Sequence, residues 1–209
     1  MIVLALVLGA CFADRVHNAY ADHAVTLLRE LMADATTTED SLLVRYRLYP
    51  LLQDKALLAD LPRTTAGMGA RELALLSALW AWRIPGSAPW NAVTYGRRAG
   101  ALLDRARAAA PADPMVRLID AQSRIFAPGY AGGDVRAAVA RLRALHEELP
   151  HDACGISLAE VDYWLWFSLV KLRDPAAEAV RDRLMAGDTP RLYREMLRDS
   201  AAREATLER

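Results

Sequence analysis

The sequence is poor in lysine, cysteine and phenylalanine: only Lys55 and Lys171 stand among its 26 basic residues, beside two cysteines and three phenylalanines in 209 positions. Positive charge is therefore almost all arginine, spread through Ala-rich stretches such as 105–111. This bias fits GC-rich codon usage and solvated helix faces, since Arg and Ala are both strong helix formers. Excess charge of either sign is also missing. Acidic and basic totals are 26 each, which excludes the electrostatic footprint of a general nucleic-acid binder or a polybasic membrane protein. Strand signals are absent too: no alternating β-branched segments bounded by hairpin turns occur. Two cysteines are too few for a disulfide framework, and at positions 11 and 154 they form no Cys-x₂₋₄-Cys zinc pair. An apolar fraction of 54% with 25% charge excludes a disordered chain, and a domain this size buries roughly 70% of its unfolded surface without metal or disulfide staples.

The N-terminus carries one uninterrupted apolar run, Ile2 to Phe12, with its first charge at Asp14. It falls short of the roughly 20 residues a transmembrane helix needs and suits the apolar region of a secretory signal. No Lys or Arg precedes it. Two processing patterns overlap. Leu8-Gly9-Ala10-Cys11 resembles a bacterial lipobox, in which Cys11 takes the lipid. Cys11-Phe12-Ala13 is a small-x-small site that releases a soluble chain from Asp14. Residues 1–13 are thus read as a signal peptide of lipoprotein or cleaved type, and 14–209 as a single helical domain. Both routes leave Cys154 unpaired.

Helical periodicity dominates beyond Asp14. Val16, Tyr20, Ala24, Leu27, Leu28 and Leu31 form one stripe over 15–33, which predicts a single amphipathic helix. The cap-rich run Thr36–Asp40 predicts a break, then a helix carrying Leu42, Leu43, Tyr46 and Tyr49 until Pro50. One short helix is expected between 51 and 69. A central helix follows at 70–83, apolar around most of its circumference. Further helices are expected at 91–110, 115–126, 134–149, 158–172, 175–185 and 190–207, with Pro-containing breaks between most of them. The fold class is all-α. Successive hairpins of about 34 residues or slightly more suggest a tetratricopeptide-type α-solenoid of antiparallel helix hairpins.

Residues 95–149 resemble the exported TPR-like proteins related to the T-component of tripartite periplasmic transporters. The resemblance rests on Pro128, Tyr130, Gly132, Gly133 and Asp134, with Ala137 at a small packing position; Ala131 departs from the pattern by separating the aromatic from the glycines. A weaker likeness to one TPR unit covers 163–190 through Tyr163, Trp166, Ala179, Ala186 and Pro190. The motif is structural: its glycines suit a tight turn and Asp134 suits a helix N-cap. A phosphate-cradle reading is disfavoured, because neither Lys nor Ser/Thr follows the glycines.

No reactive constellation identifies a reaction. The polar cluster His146–Cys154 fits no standard zinc spacing, and no Gly-x-Ser-x-Gly elbow is present. The expectation is therefore a protein without catalytic residues, metal or cofactor. Its leading function is that of a cell-envelope binding or scaffold protein, periplasmic or lipid-anchored, holding a protein or peptide partner or an apolar small ligand in a helical groove. Nucleic acid is not expected, and membrane contact is expected only through a lipid. Most aromatics read as core; Trp82 and Trp164 are the candidate groove anchors. The alternative is an accessory ligand-binding component of a periplasmic transporter, and an enzyme of unknown type comes third.

Overall fold

The computed structural model describes residues 11–150 and 153–207, those from 200 onward as backbone alone. The apolar run before Cys11, including Leu8-Gly9-Ala10, and the His151-Asp152 part of the polar cluster lie outside the described residues. Those residues form ten α-helices and no strand: α1 (Phe12–Ala21), α2 (Val25–Asp34), α3 (Thr38–Leu52), α4 (Ala70–Ala81), α5 (Pro89–Ala109), α6 (Pro114–Phe126), α7 (Val135–Glu148), α8 (Leu158–Lys171), α9 (Ala176–Ala186) and α10 (Arg191–Leu207). The all-α class follows. None of the helices is long and apolar enough to cross a membrane.

Helix starts are written locally. Thr37 caps α3 through its hydroxyl, which accepts from the Asp40 N–H, while the Asp40 carboxylate accepts from the Thr37 N–H. Asp113 caps α6, Asp134 caps α7 and Ser157 caps α8. Gly69, Asp113 and Ser157 precede α4, α6 and α8 at an interval of forty-four residues. The interval is thus longer than the roughly 34 residues of a TPR unit: the first holds the 21-residue α5, and the second holds α6 and α7 with the loops that follow each of them.

The first predicted helix is in fact two. Backbone at His23 turns left-handed with φ 59°, separating α1 from α2, although neither Gly nor Pro marks the place. The break lets Val16, Ala19, Tyr20 and Ala21 bury against the core while Leu28 and Leu31 of α2 do so separately. Conversely, Pro50 does not stop α3. The helix continues to Leu52 and ends at Gln53 with φ 53°, its last turn held by Tyr46 and Tyr49 stacked on Trp82 with centroids 5.2 and 5.1 Å away.

Two layers arise from the packing. Helices α5, α7 and α9 each lie against the helices before and after them, while α1 meets α3, α3 meets α4, α4 meets α6, α6 meets α8 and α8 meets α10. Helix α1 also touches α10, so this layer closes into a circuit. The inter-layer ties are polar as well as apolar. Buried Asp120 on α6 accepts from Arg107 of α5 and Arg141 of α7. Buried Asp162 on α8 accepts both guanidinium contacts of Arg183 from α9 at 2.9 Å and pairs with His146 of α7 at 2.8 Å.

Candidate functional site

The inner circuit meets in one polar cluster. His17 and Tyr20 come from α1, Tyr46 and Arg47 from α3, Gln122 from α6, Glu160 from α8 and Tyr193 from α10. Arg47 donates through Nη1 and Nη2 to the two Glu160 oxygens, the second contact at 2.9 Å, and Nη2 also donates to the Gly155 carbonyl at 2.9 Å. Both side chains are 1% exposed. The guanidinium lies 4.8 Å from the Tyr20 ring centroid and 5.1 Å from that of Tyr46, while the Tyr46 hydroxyl donates to Gln122 at 2.6 Å. Burial opposes the charge on Arg47, but Glu160 outweighs it and holds the guanidinium protonated. Burial also raises the phenols of Tyr20, Tyr46 and Tyr193 above their ordinary range, so they stay neutral. His17 Nδ1 sits 3.5 Å from Glu160. Burial is the main reason that its pKa falls to about 4, with Glu160 resisting and Arg47 assisting. With His17 at 6% exposure, the cluster ties helices together and presents nothing to a substrate from solvent.

Beside it lies a junction that sequence reasoning missed. Cys11 and Cys154 form a disulfide, which corrects the expectation that Cys154 is unpaired. A sulfur in this bond carries no lipid, and release after Ala13 would discard Cys11, so both processing routes exclude the bridge. The segment 154–155 is pinned from several directions. The Gly155 N–H donates to Asp14 Oδ1 at 2.8 Å, its carbonyl accepts from Arg47, and the Cys154 carbonyl accepts from Arg71 at 3.4 Å. Gly155 has φ 82°, and a Cβ there would press on the Ala13 Cβ; only glycine fits both demands. The one local signal was a glycine directly after the second cysteine, whose partner lies 143 residues away.

The loop motif is structural at Pro128, Gly132, Gly133 and Asp134. Pro128 precedes a 3₁₀ turn over Gly129–Ala131, and Gly132 closes that turn with φ 89°. Gly133 has ordinary φ, but a Cβ there would collide with the Ala127 carbonyl. Its need for glycine is therefore close backbone approach, not positive φ. Asp134 Oδ1 accepts from the Ala137 N–H at 2.9 Å. Tyr130 is 94% exposed.

The two anchor candidates fare differently. Trp82 stacks with both Tyr46 and Tyr49 and is partly buried against the core. Trp164, also partly buried, joins an aromatic shelf at the α6–α8 edge: Phe126 packs edge-on against it at 5.8 Å, and Phe167 lies 5.8 Å from Phe126 and 5.9 Å from Trp164. Phe126 is 59% exposed. Lys171 donates to the Ile125 carbonyl at 2.9 Å and holds its ammonium 5.7 Å from the Phe126 centroid. A shallow cavity of about 400 Å³ opens elsewhere, between Arg136 and Arg143 of α7 and the Leu172–Asp174 turn.

The shelf offers apolar ring faces with the Lys171 ammonium at one edge, an arrangement that suits an apolar or aromatic group. In comparison with described protein families, curated proteins and solved structures, the chain matches none.

Proposed function

We propose that this is a non-catalytic binding or scaffold protein of the cell envelope, a TPR-like solenoid that holds a protein or peptide partner against the α6–α8 edge. The observation that carries the reading is the shelf of Phe126, Trp164 and Phe167, since a phenylalanine at 59% exposure flanked by two aromatic rings is the composition of an interface anchor rather than of ordinary solvated surface. The Cys11–Cys154 bridge requires an N-terminus that keeps Cys11 free of lipid, and it supports an oxidising compartment, where disulfides persist. The resemblance around Pro128–Asp134 points the same way.

A photo-crosslinking phenylalanine analogue at position 126, expressed in the full chain in cells, tests this. A discrete adduct that disappears with Trp164→Ala is expected. The same probe at Trp90, 73% exposed on α5, gives the background; identical adducts at both positions, or none at 126, overturn the reading. The accessory-transporter alternative draws on the closed α1–α10 circuit. It requires an apolar passage, whereas the helices of that circuit converge on Arg47 and Glu160, and it predicts ring-like self-association that a size measurement detects.

A further inference from the structure

The Cys11–Cys154 junction holds a third donor. The two sulfurs and an Asp14 carboxylate oxygen all lie within 4.8 Å of one another, on two elements that the chain brings together only by folding. A tetrahedral zinc ion with Zn–S distances of about 2.3 Å and Zn–O distances of about 2.0–2.2 Å separates its donors by roughly 3.5–3.8 Å. Once the sulfur–sulfur bond is opened, shifts of roughly 1–2 Å in side-chain atoms reach that geometry. The backbone separation is suitable, with Cα atoms 6.8 Å apart. Asp14 is already oriented, because its Oδ1 accepts from the Gly155 N–H at 2.8 Å, the kind of outer hydrogen bond that fixes a ligating carboxylate. Its Oδ2 remains for an ion. Cys11 is exposed while Asp14 and Cys154 are partly buried, so an ion enters from solvent without unfolding the chain.

We propose that the reduced junction is a Zn²⁺ site with Cys11 Sγ, Cys154 Sγ and Asp14 as ligands, and water at the fourth corner. The chemistry balances in two steps. A dithiol reductant delivers two electrons and two protons to the bridge, which becomes two thiols while the dithiol leaves as its own disulfide. Zn²⁺ then displaces the two thiol protons to solvent with no change of oxidation state, and its charge meets two thiolates and one carboxylate. Two sulfurs with one oxygen suit zinc, which accepts mixed soft and hard donors, better than a purely thiophilic or purely oxygen-seeking ion. The ion would keep α1 tied to the segment before α8 where the covalent tie is lost.

The test uses the full chain, reduced with dithiothreitol, freed of it without air, and titrated with Co²⁺ as the spectroscopic substitute for zinc. A thiolate-to-cobalt charge-transfer band saturating at one ion per chain, displaced by equimolar Zn²⁺ and absent from the oxidised chain, is expected. Cys154→Ser should abolish the band. Asp14→Asn keeps both thiols and the acceptor for Gly155, so the band should survive with affinity weakened by about tenfold or more. No band in the reduced chain, an undiminished band in Cys154→Ser, or saturation at one ion per two chains overturns the site; unchanged affinity in Asp14→Asn overturns the carboxylate as ligand and with it the three-ligand proposal.

Discussion

Arg47 and Glu160, 113 residues apart in the chain, meet in a two-contact ion pair that removes both from water. Such a pair contributes little net stability compared with well-packed apolar residues, but breaking it strands a buried charge. Glu160→Leu should therefore destabilise by about 3–5 kcal/mol, whereas Arg47→Met combined with Glu160→Leu should recover most of the loss. Urea unfolding of both variants at neutral pH decides this, and a double variant no better than the single one contradicts the charge argument.

His17 makes stability depend on acid. Its pKa in the folded chain falls from 6.5 to about 4, so between those values the unfolded chain binds a proton that the folded chain refuses. Stability should decline as pH falls from about 6.5 to about 4, by an amount on the order of 3 kcal/mol. His17→Gln should flatten that part of the profile. An equal decline in the variant assigns the effect to other groups.

The disulfide predicts how the N-terminus is handled. Peptide mapping of the chain isolated from its native compartment, without reductant, should recover Cys11 linked to Cys154. A lipid on Cys11, or a mature chain beginning at Asp14, rules the bridge out in that compartment. Where the bridge is present, reducing it should cost about 2–4 kcal/mol of stability, read as a lower thermal midpoint in metal-free buffer.

The loop before α7 separates two demands on glycine. Asp134→Ala removes one N-cap hydrogen bond and should cost about 1 kcal/mol. Gly133→Ala should cost more than Gly100→Ala, since an added Cβ at 133 meets the Ala127 carbonyl while one at 100 meets nothing. Thermal melts of the three variants rank them. Equal costs for the two glycine changes would falsify the steric account.

Much of this was legible in the one-dimensional pattern. The helix class, the cap-rich run Thr36–Asp40 before α3, the cap at Asp134 and the structural role of Gly132 all depend on residues within a few positions of one another, where spacing and propensity suffice. The split at His23 was not legible, because a non-glycine left-handed residue is imposed by α1 and α2 packing as two separate helices on α3. The shelf was half legible: Trp164 stood out, but the exposure of Phe126 depends on how α6 lies against α8. Two cysteines 143 residues apart, a histidine on an apolar stripe and one arginine among twenty-four carry no sign of their partners. Pairing Cys11 with Cys154, Arg47 with Glu160 and Asp14 with Gly155 was decided by tertiary structure, because closure of the circuit is what brings α1 and α3 to the segment 154–160.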